Sequence, residues 1–144
     1  MKRDNRPIAA RMQNRVAIYH NPKCSKSRQA LLLLRSNGVE PEVIEYLKQP
    51  LDADRVSELI GMLGIPPHDL VRTKETPYKK LKLSPSSTIE EIAKAIAENP
   101  ILLERPVVVW GKMAVIGRPP ERVLPWLRRS GRKSATSDKA GGLK

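Results

Sequence analysis

At 144 residues the chain suits one domain and is long enough to bury a substantial core. It has no Phe, two Trp and three Tyr, so Leu, Ile, Val and Ala must fill that core, and its single Cys excludes both an internal disulfide framework and a multi-cysteine zinc site. The net charge of +12 is concentrated at the ends: residues 1–15 hold five Lys/Arg and one Asp, residues 129–144 hold the same, and only +4 belongs to residues 16–128.

That distribution predicts disordered basic tails at 1–15 and 129–144 around a domain at 16–128, with no specific nucleic-acid partner expected. No apolar run approaches the roughly 18 residues of a membrane span, and the N-terminus lacks the apolar region of a secretory signal. A cytoplasmic setting, where a free thiol stays reduced, is expected, with no membrane partner. Met12 offers an alternative translation start, because the folded pattern begins shortly after it.

Val16-Ala17-Ile18-Tyr19 reads as a buried strand stopped by the turn "HNP". "CSKSRQALLLLRSNG" predicts a helix with Cys24 or Ser25 at its N-cap, an apolar face of Ala30, Leu31, Leu33 and Leu34, and a stop at Asn37-Gly38. Val39, Val43, Ile44 and Tyr46 lie in a second strand-like run, with Pro41 at its entry. A helix capped by Asp52 or Asp54 then runs to Gly64, carrying Val56, Leu59, Ile60 and Leu63 at helical spacing. "IPPHDLVRTKETPYKKL" predicts short helical turns, and Ser87 or Thr88 caps a further helix that ends at Asn99-Pro100. "RPVVVWGKMAVIGRPP" predicts an apolar hairpin turning at Trp110-Gly111-Lys112, followed by a short helix broken near Pro125. The order β-α-β-α-(helical insert)-β-β-α predicts an α/β fold, a mixed sheet of about four strands flanked by helices, in thioredoxin-like arrangement. A cis bond is expected at Arg105-Pro106, directly before the third strand.

A strand, a turn and then a helix aim the helix N-terminus at the carboxyl end of the sheet, where unpaired N–H groups and the positive dipole end favour a thiolate at Cys24. The same features attract an oxyanion. Lys23, Lys26 and Arg28 add positive charge, and His20 lies across the turn. Arg28, four residues beyond Cys24, is expected to lean toward the sulfur or its anionic partner. The polar neighbours argue against a buried structural cysteine. A dithiol C-x-x-C needs Cys at position 27, where Ser27 stands, and a phosphatase-type loop needs Arg at position 30, where Ala30 stands. The layout is therefore a monothiol, with Ser27 counted among the groups that stabilise the thiolate or the oxyanion, and no metal ligands are expected.

"IYHNPKCSKSRQALLLLRSNGVEP" with "IEYLKQP", "LVRTKETPYKKL", "NPILLERPVVV" and "VIGRPPERVL" resembles the glutaredoxin-coupled arsenate reductase (ArsC) family over about residues 16–128. The resemblance implies a cytoplasmic oxidoreductase that reduces arsenate to arsenite. Cys24 matches its nucleophile, His20 its nearby histidine, and Arg72, Arg105 and Arg118 the arginines that surround the oxyanion. It also implies glutathione as cosubstrate and glutaredoxin as partner, with no bound cofactor. A two-electron reduction needs two thiols, and one Cys requires an external one. Two alternatives stay open: a glutathione-dependent thiol reductase with another substrate, and a redox-responsive transcriptional regulator of the same family.

Overall fold

The computed structural model describes residues 6–129. Four strands, β1 (Val16–His20), β2 (Glu42–Glu45), β3 (Val107–Trp110) and β4 (Met113–Ile116), form one sheet in the order β2-β1-β3-β4. β1 runs parallel to β2 and antiparallel to β3, and β3 and β4 form the expected hairpin. Among the described residues six α-helices accompany the sheet: α1 (Ile8–Arg11), α2 (Ser25–Ser36), α3 (Ala53–Leu63), α4 (Thr76–Lys80), α5 (Ile89–Glu98) and α6 (Val123–Arg129).

All five residues of β1 are buried, because helices cover both faces of the sheet and leave no solvated side for polar residues. Side chains alternate across a strand. Ala17, Tyr19, Val107 and Val109 therefore join Val56, Leu59, Ile60, Ile92 and Ile96 of α3 and α5 in one core layer. Val16, Ile18 and Val108 join Ala30 and Leu34 of α2 and Val123, Trp126 and Leu127 of α6 in the other. Transfer of an Ile or Leu side chain into such layers contributes about 1.5–3 kcal/mol. The smaller Val and Ala residues of β1 and β3 let helices pack on both sides without any Phe.

The helix ends follow the sequence signals. Asp52 accepts the Arg55 N–H at 2.8 Å, and Gly64 closes α3 at φ 65°, a left-handed conformation that glycine adopts without steric cost. Thr88 and Glu91 form a reciprocal capping box on α5, with bonds of 3.1 and 2.8 Å. α2 ends with Gly38 N–H donating to Arg35 O and Val39 N–H to Leu34 O, the paired bonds of a Schellman motif. The Arg105-Pro106 bond is cis as expected, and so is Arg118-Pro119, which the sequence reading did not anticipate.

Two expectations need correction. The segment 1–15 is not a disordered tail throughout. α1 buries Ile8, and Met12 just beyond it, each 1% exposed, in the layer shared with α3. The Glu58 carboxylate of α3 accepts the N–H groups of Ile8 at 2.8 Å and Ala9 at 3.1 Å, supplying from a distance the cap that Pro7 cannot. Gly111 N–H donates to Met12 O at 2.7 Å, docking the hairpin turn on the same segment, and Arg11 and Arg15 pair with Glu42 at 3.6 and 2.6 Å. A start at Met12 would remove α1 from this layer. Nor does Pro125 break the last helix; it is the third residue of α6, in the first turn, where an N–H would lack a helical acceptor in any case. Residues 1–5 and 130–144 of the expected tails lie outside the described residues, and Arg129 is the last residue of α6. Among the described residues no helix is long and apolar enough to cross a membrane.

Candidate active site

β1 delivers the chain to the carboxyl end of the sheet. There Cys24 N–H donates to Asn21 O at 2.9 Å, closing a turn that places Cys24 at the N-cap of α2 in extended conformation. Cys24 is half-buried. Its side chain makes no capping hydrogen bond, yet the first amides of α2 face the sulfur. Burial pushes the thiol up. The Ser27 amide, the Arg105 guanidinium and the Lys26 amide outweigh it, and the net direction is downward, toward thiolate at lower pH.

Ser27 is fully buried beneath the loop. Its hydroxyl accepts the Asn21 N–H at 3.1 Å and lies 2.6 Å from His20 Nδ1. Ser27 thus acts on the site twice, through its amide on the sulfur and through its hydroxyl on the loop. His20 is engaged with Ser27, so its effect on Cys24 runs through loop shape. Burial, partly opposed by Glu45, holds its imidazole below the ordinary value and favours the neutral ring.

Arg28 does not lean toward the sulfur. It is exposed, and its Nη1 donates to Pro22 O at 2.8 Å, bracing the outside of the loop. The carbonyl offers a nearby acceptor at the solvent edge, a contact invisible to i, i+4 spacing. Lys23 and Lys26 are also exposed, and Lys26 contributes its amide.

The other three arginines do meet. An isolated bridge pairs Val71 with Leu103, with Arg72 N–H donating to Leu102 O at 2.7 Å and Glu104 N–H to Leu70 O at 2.8 Å. This stitches the Arg72 loop to the segment carrying Glu104 and Arg105. Gly117 then brings Arg118 alongside: its N–H donates to Pro106 O at 2.9 Å, and a Cβ there would sit 3.1 Å from Pro106 and 3.3 Å from Val123. Arg118 Nη1 lies 3.9 Å from Cys24 Sγ and 3.2 Å from Arg105 O. The Arg105 guanidinium acts on Cys24, and its buried Nε and Nη1 have no hydrogen-bond partner. Buried donors are seldom left unpaired, and these two are free to meet an oxyanion.

Sequence reasoning missed Glu104, Asn21 and Tyr46. Glu104 Oε1 accepts Arg72 Nη1 at 2.9 Å and Arg105 N–H at 3.2 Å and sits 3.7 Å from Arg118 Nε, tying all three arginines together. Glu75 takes Arg72 Nε at 3.3 Å. The one available signal for Glu104 was its place between the bridge residue Leu103 and Arg105. Tyr46, 1% exposed, has a hydroxyl without a hydrogen-bond partner. Its strand pattern alone marked it as core.

A mixed sheet with one cysteine at a helix N-terminus, on the side where a cis proline enters the third strand, defines a thioredoxin-like protein with a single ionisable thiol. The sequence pattern described as the ArsC family matches residues 19–125, and the chain belongs to that family. The chain is 52% identical over 115 residues to the uncharacterised protein YfgD of Escherichia coli K12, covering 78% of this chain and 97% of that one. It is 43% identical over 111 residues to the arsenate reductase of Haemophilus influenzae, covering 76% and 96%. The solved structure of arsenate reductase from Vibrio cholerae superposes with a TM-score of 0.73 at 44% identity, covering 76% of this chain and 95% of that one.

Proposed function

We propose that this protein is an arsenate reductase in which Cys24 is the nucleophile and glutathione with glutaredoxin supplies the electrons. The observation that supports it most is a thiol whose ionisation is favoured, with Arg118 Nη1 at 3.9 Å from the sulfur and the Arg105 guanidinium acting on it while keeping two buried nitrogens without a hydrogen-bond partner. Guanidinium groups suit tetrahedral oxyanions through paired bonds. Relatives at 43% identity carry the same activity in name.

The Cys24 thiolate attacks arsenic(V), forming an As–S bond as one oxygen leaves as water after protonation. Arg105, Arg118 and Arg72 hold the remaining oxygens. Glutathione displaces a second hydroxyl as water, giving arsenic bound to both sulfurs. The glutaredoxin thiolate attacks the glutathione sulfur; the As–S pair stays on arsenic, which becomes arsenic(III), and the two sulfurs leave as a mixed disulfide. Water then displaces Cys24, releasing arsenite and the thiolate. The second thiol comes from outside because this chain has one Cys.

Arsenate-dependent NADPH oxidation with glutathione, glutaredoxin and glutathione reductase tests the proposal, with C24S expected to show no rate. No arsenate-dependent rate in the wild type would reject it. Activity with thioredoxin and thioredoxin reductase in place of that set would reject the glutathione arm alone.

A further inference from the structure

Tyr46 directly follows Glu45, which is paired with His20 at the carboxyl ends of β1 and β2. The phenol therefore stands beside the turn that delivers Cys24. With Leu51, Ile96, Pro100 and Leu103 it lines a small cavity in the layer shared with α5. Arg105, Asn21, Arg72 and Cys24 all act electrostatically or by hydrogen bonding on its hydroxyl. Asn21 acts on the phenol through its side chain, but its amide oxygen is already engaged by Lys23 N–H at 3.0 Å, so what it offers the phenol oxygen is a donor and the phenol proton is left without an acceptor.

A buried hydroxyl without a partner is destabilising unless something else occupies that role. The same holds for Arg105 Nε and Nη1 nearby. Tyr46 and Arg105, which act on each other and on Cys24, thus hold three unmet donors between them. We propose that the Tyr46 hydroxyl is an uncharged donor to the oxyanion bound at Cys24, alongside the arginines. Burial, partly opposed by Arg105 and Asn21, pushes the phenol above its ordinary value, so it stays protonated and able to donate. An uncharged donor holds an oxygen without adding to the field that already favours the thiolate.

The inference rests on the oxyanion reading of the site, so the test uses binding apart from turnover. Inorganic phosphate and arsenate are titrated as protectants of Cys24 against iodoacetamide in the full chain. In Y46F the half-protecting concentration should rise about tenfold, the weight of one hydrogen bond. The alkylation profile against pH without ligand should not move, and the melting temperature should equal or exceed that of the wild type. No protection of the wild type by either anion would remove the oxyanion reading itself. Protected wild type with equal protection of Y46F would overturn only the role of Tyr46. An upward move of the Y46F alkylation profile would show the hydroxyl serving the sulfur and would likewise overturn it. If Y46F does not fold, a chain with fluorotyrosine at position 46, a stronger donor, should be protected at lower anion concentration; unchanged protection would overturn the proposal.

Discussion

Replacing Arg105 by Ala separates binding from folding. Its buried Nε and Nη1 have no partner within the protein, so the folded state already bears their desolvation without return. Each hydrogen bond from a charged donor to an oxyanion contributes about 1.5–3 kcal/mol. If Arg105 donates even one at the upper end, its loss lowers kcat/KM for arsenate by about 150-fold. Folding should respond in the opposite sense. R105A removes two unmet donors and leaves Glu104 with Arg72 at 2.9 Å, so at a pH where the Cys24 thiol is protonated and gains nothing from Arg105, stability should stay level or rise. R72A is the contrast, because it strips Glu104 and Glu75 of their guanidinium and should lower both activity and stability. The measurements are coupled-assay kinetics and urea unfolding on the same preparations. Arsenate kinetics in R105A within twofold of wild type would refute the reasoning, as would a loss of stability comparable to that of R72A.

The thiol gives a second expectation. With its folded value held below the ordinary one, alkylation of Cys24 by iodoacetamide should gain rate as pH rises through an inflection below that of a free thiol, about 8.5; R105A should move the inflection upward, and a wild-type inflection at or above the free value would contradict the helix-terminus argument. Ile8→Ala should cost about 2–4 kcal/mol in urea unfolding, since a side chain 1% exposed leaves a cavity beside α3; an unchanged midpoint would show α1 detached in solution. Gly117→Ala forces a methyl to 3.1 Å from Pro106 and 3.3 Å from Val123, so it should cost about 1–3 kcal/mol and weaken arsenate turnover by shifting Arg118; wild-type kinetics would show that Arg118 tolerates the displacement. Ser27→Ala leaves the Asn21 N–H buried and unpaired and should cost about 1–3 kcal/mol by thermal unfolding, a loss absent if the loop simply relaxes.

The strands, the long helices and their caps were legible because each rests on local signals: the short apolar runs of β1 and β3, the Asp52 and Thr88 caps, and Gly64 after α3. Cys24 and the arginines at 72, 105 and 118 were legible through motif spelling. α1 escaped because only Ile8 and Met12 mark its buried side, and its cap is Glu58, fifty residues away for Ile8. Arg28 was misread because spacing along a helix says nothing of a loop carbonyl beyond its end. Glu104 gains its role only when the Val71–Leu103 bridge sets Arg72 beside it, and Tyr46 only when the parallel pairing of β1 and β2 brings its hydroxyl to the turn.

The ion pairs of Arg11 and Arg15 with Glu42 bear on more than stability. β2 is an outer strand of the sheet, with unpaired backbone groups along one side. The two arginines, one closing α1 and one just beyond it, pair with Glu42 at the start of that strand, and Lys48 pairs with Glu45 at its end, 3.4 Å apart. Charge and bulk at both ends guard a border that would otherwise template a strand from another molecule. A chain beginning at Met12 would keep Cys24, the arginines around it and Arg15, but lose Arg11 and α1, leaving this border thinner and the protein more prone to self-association.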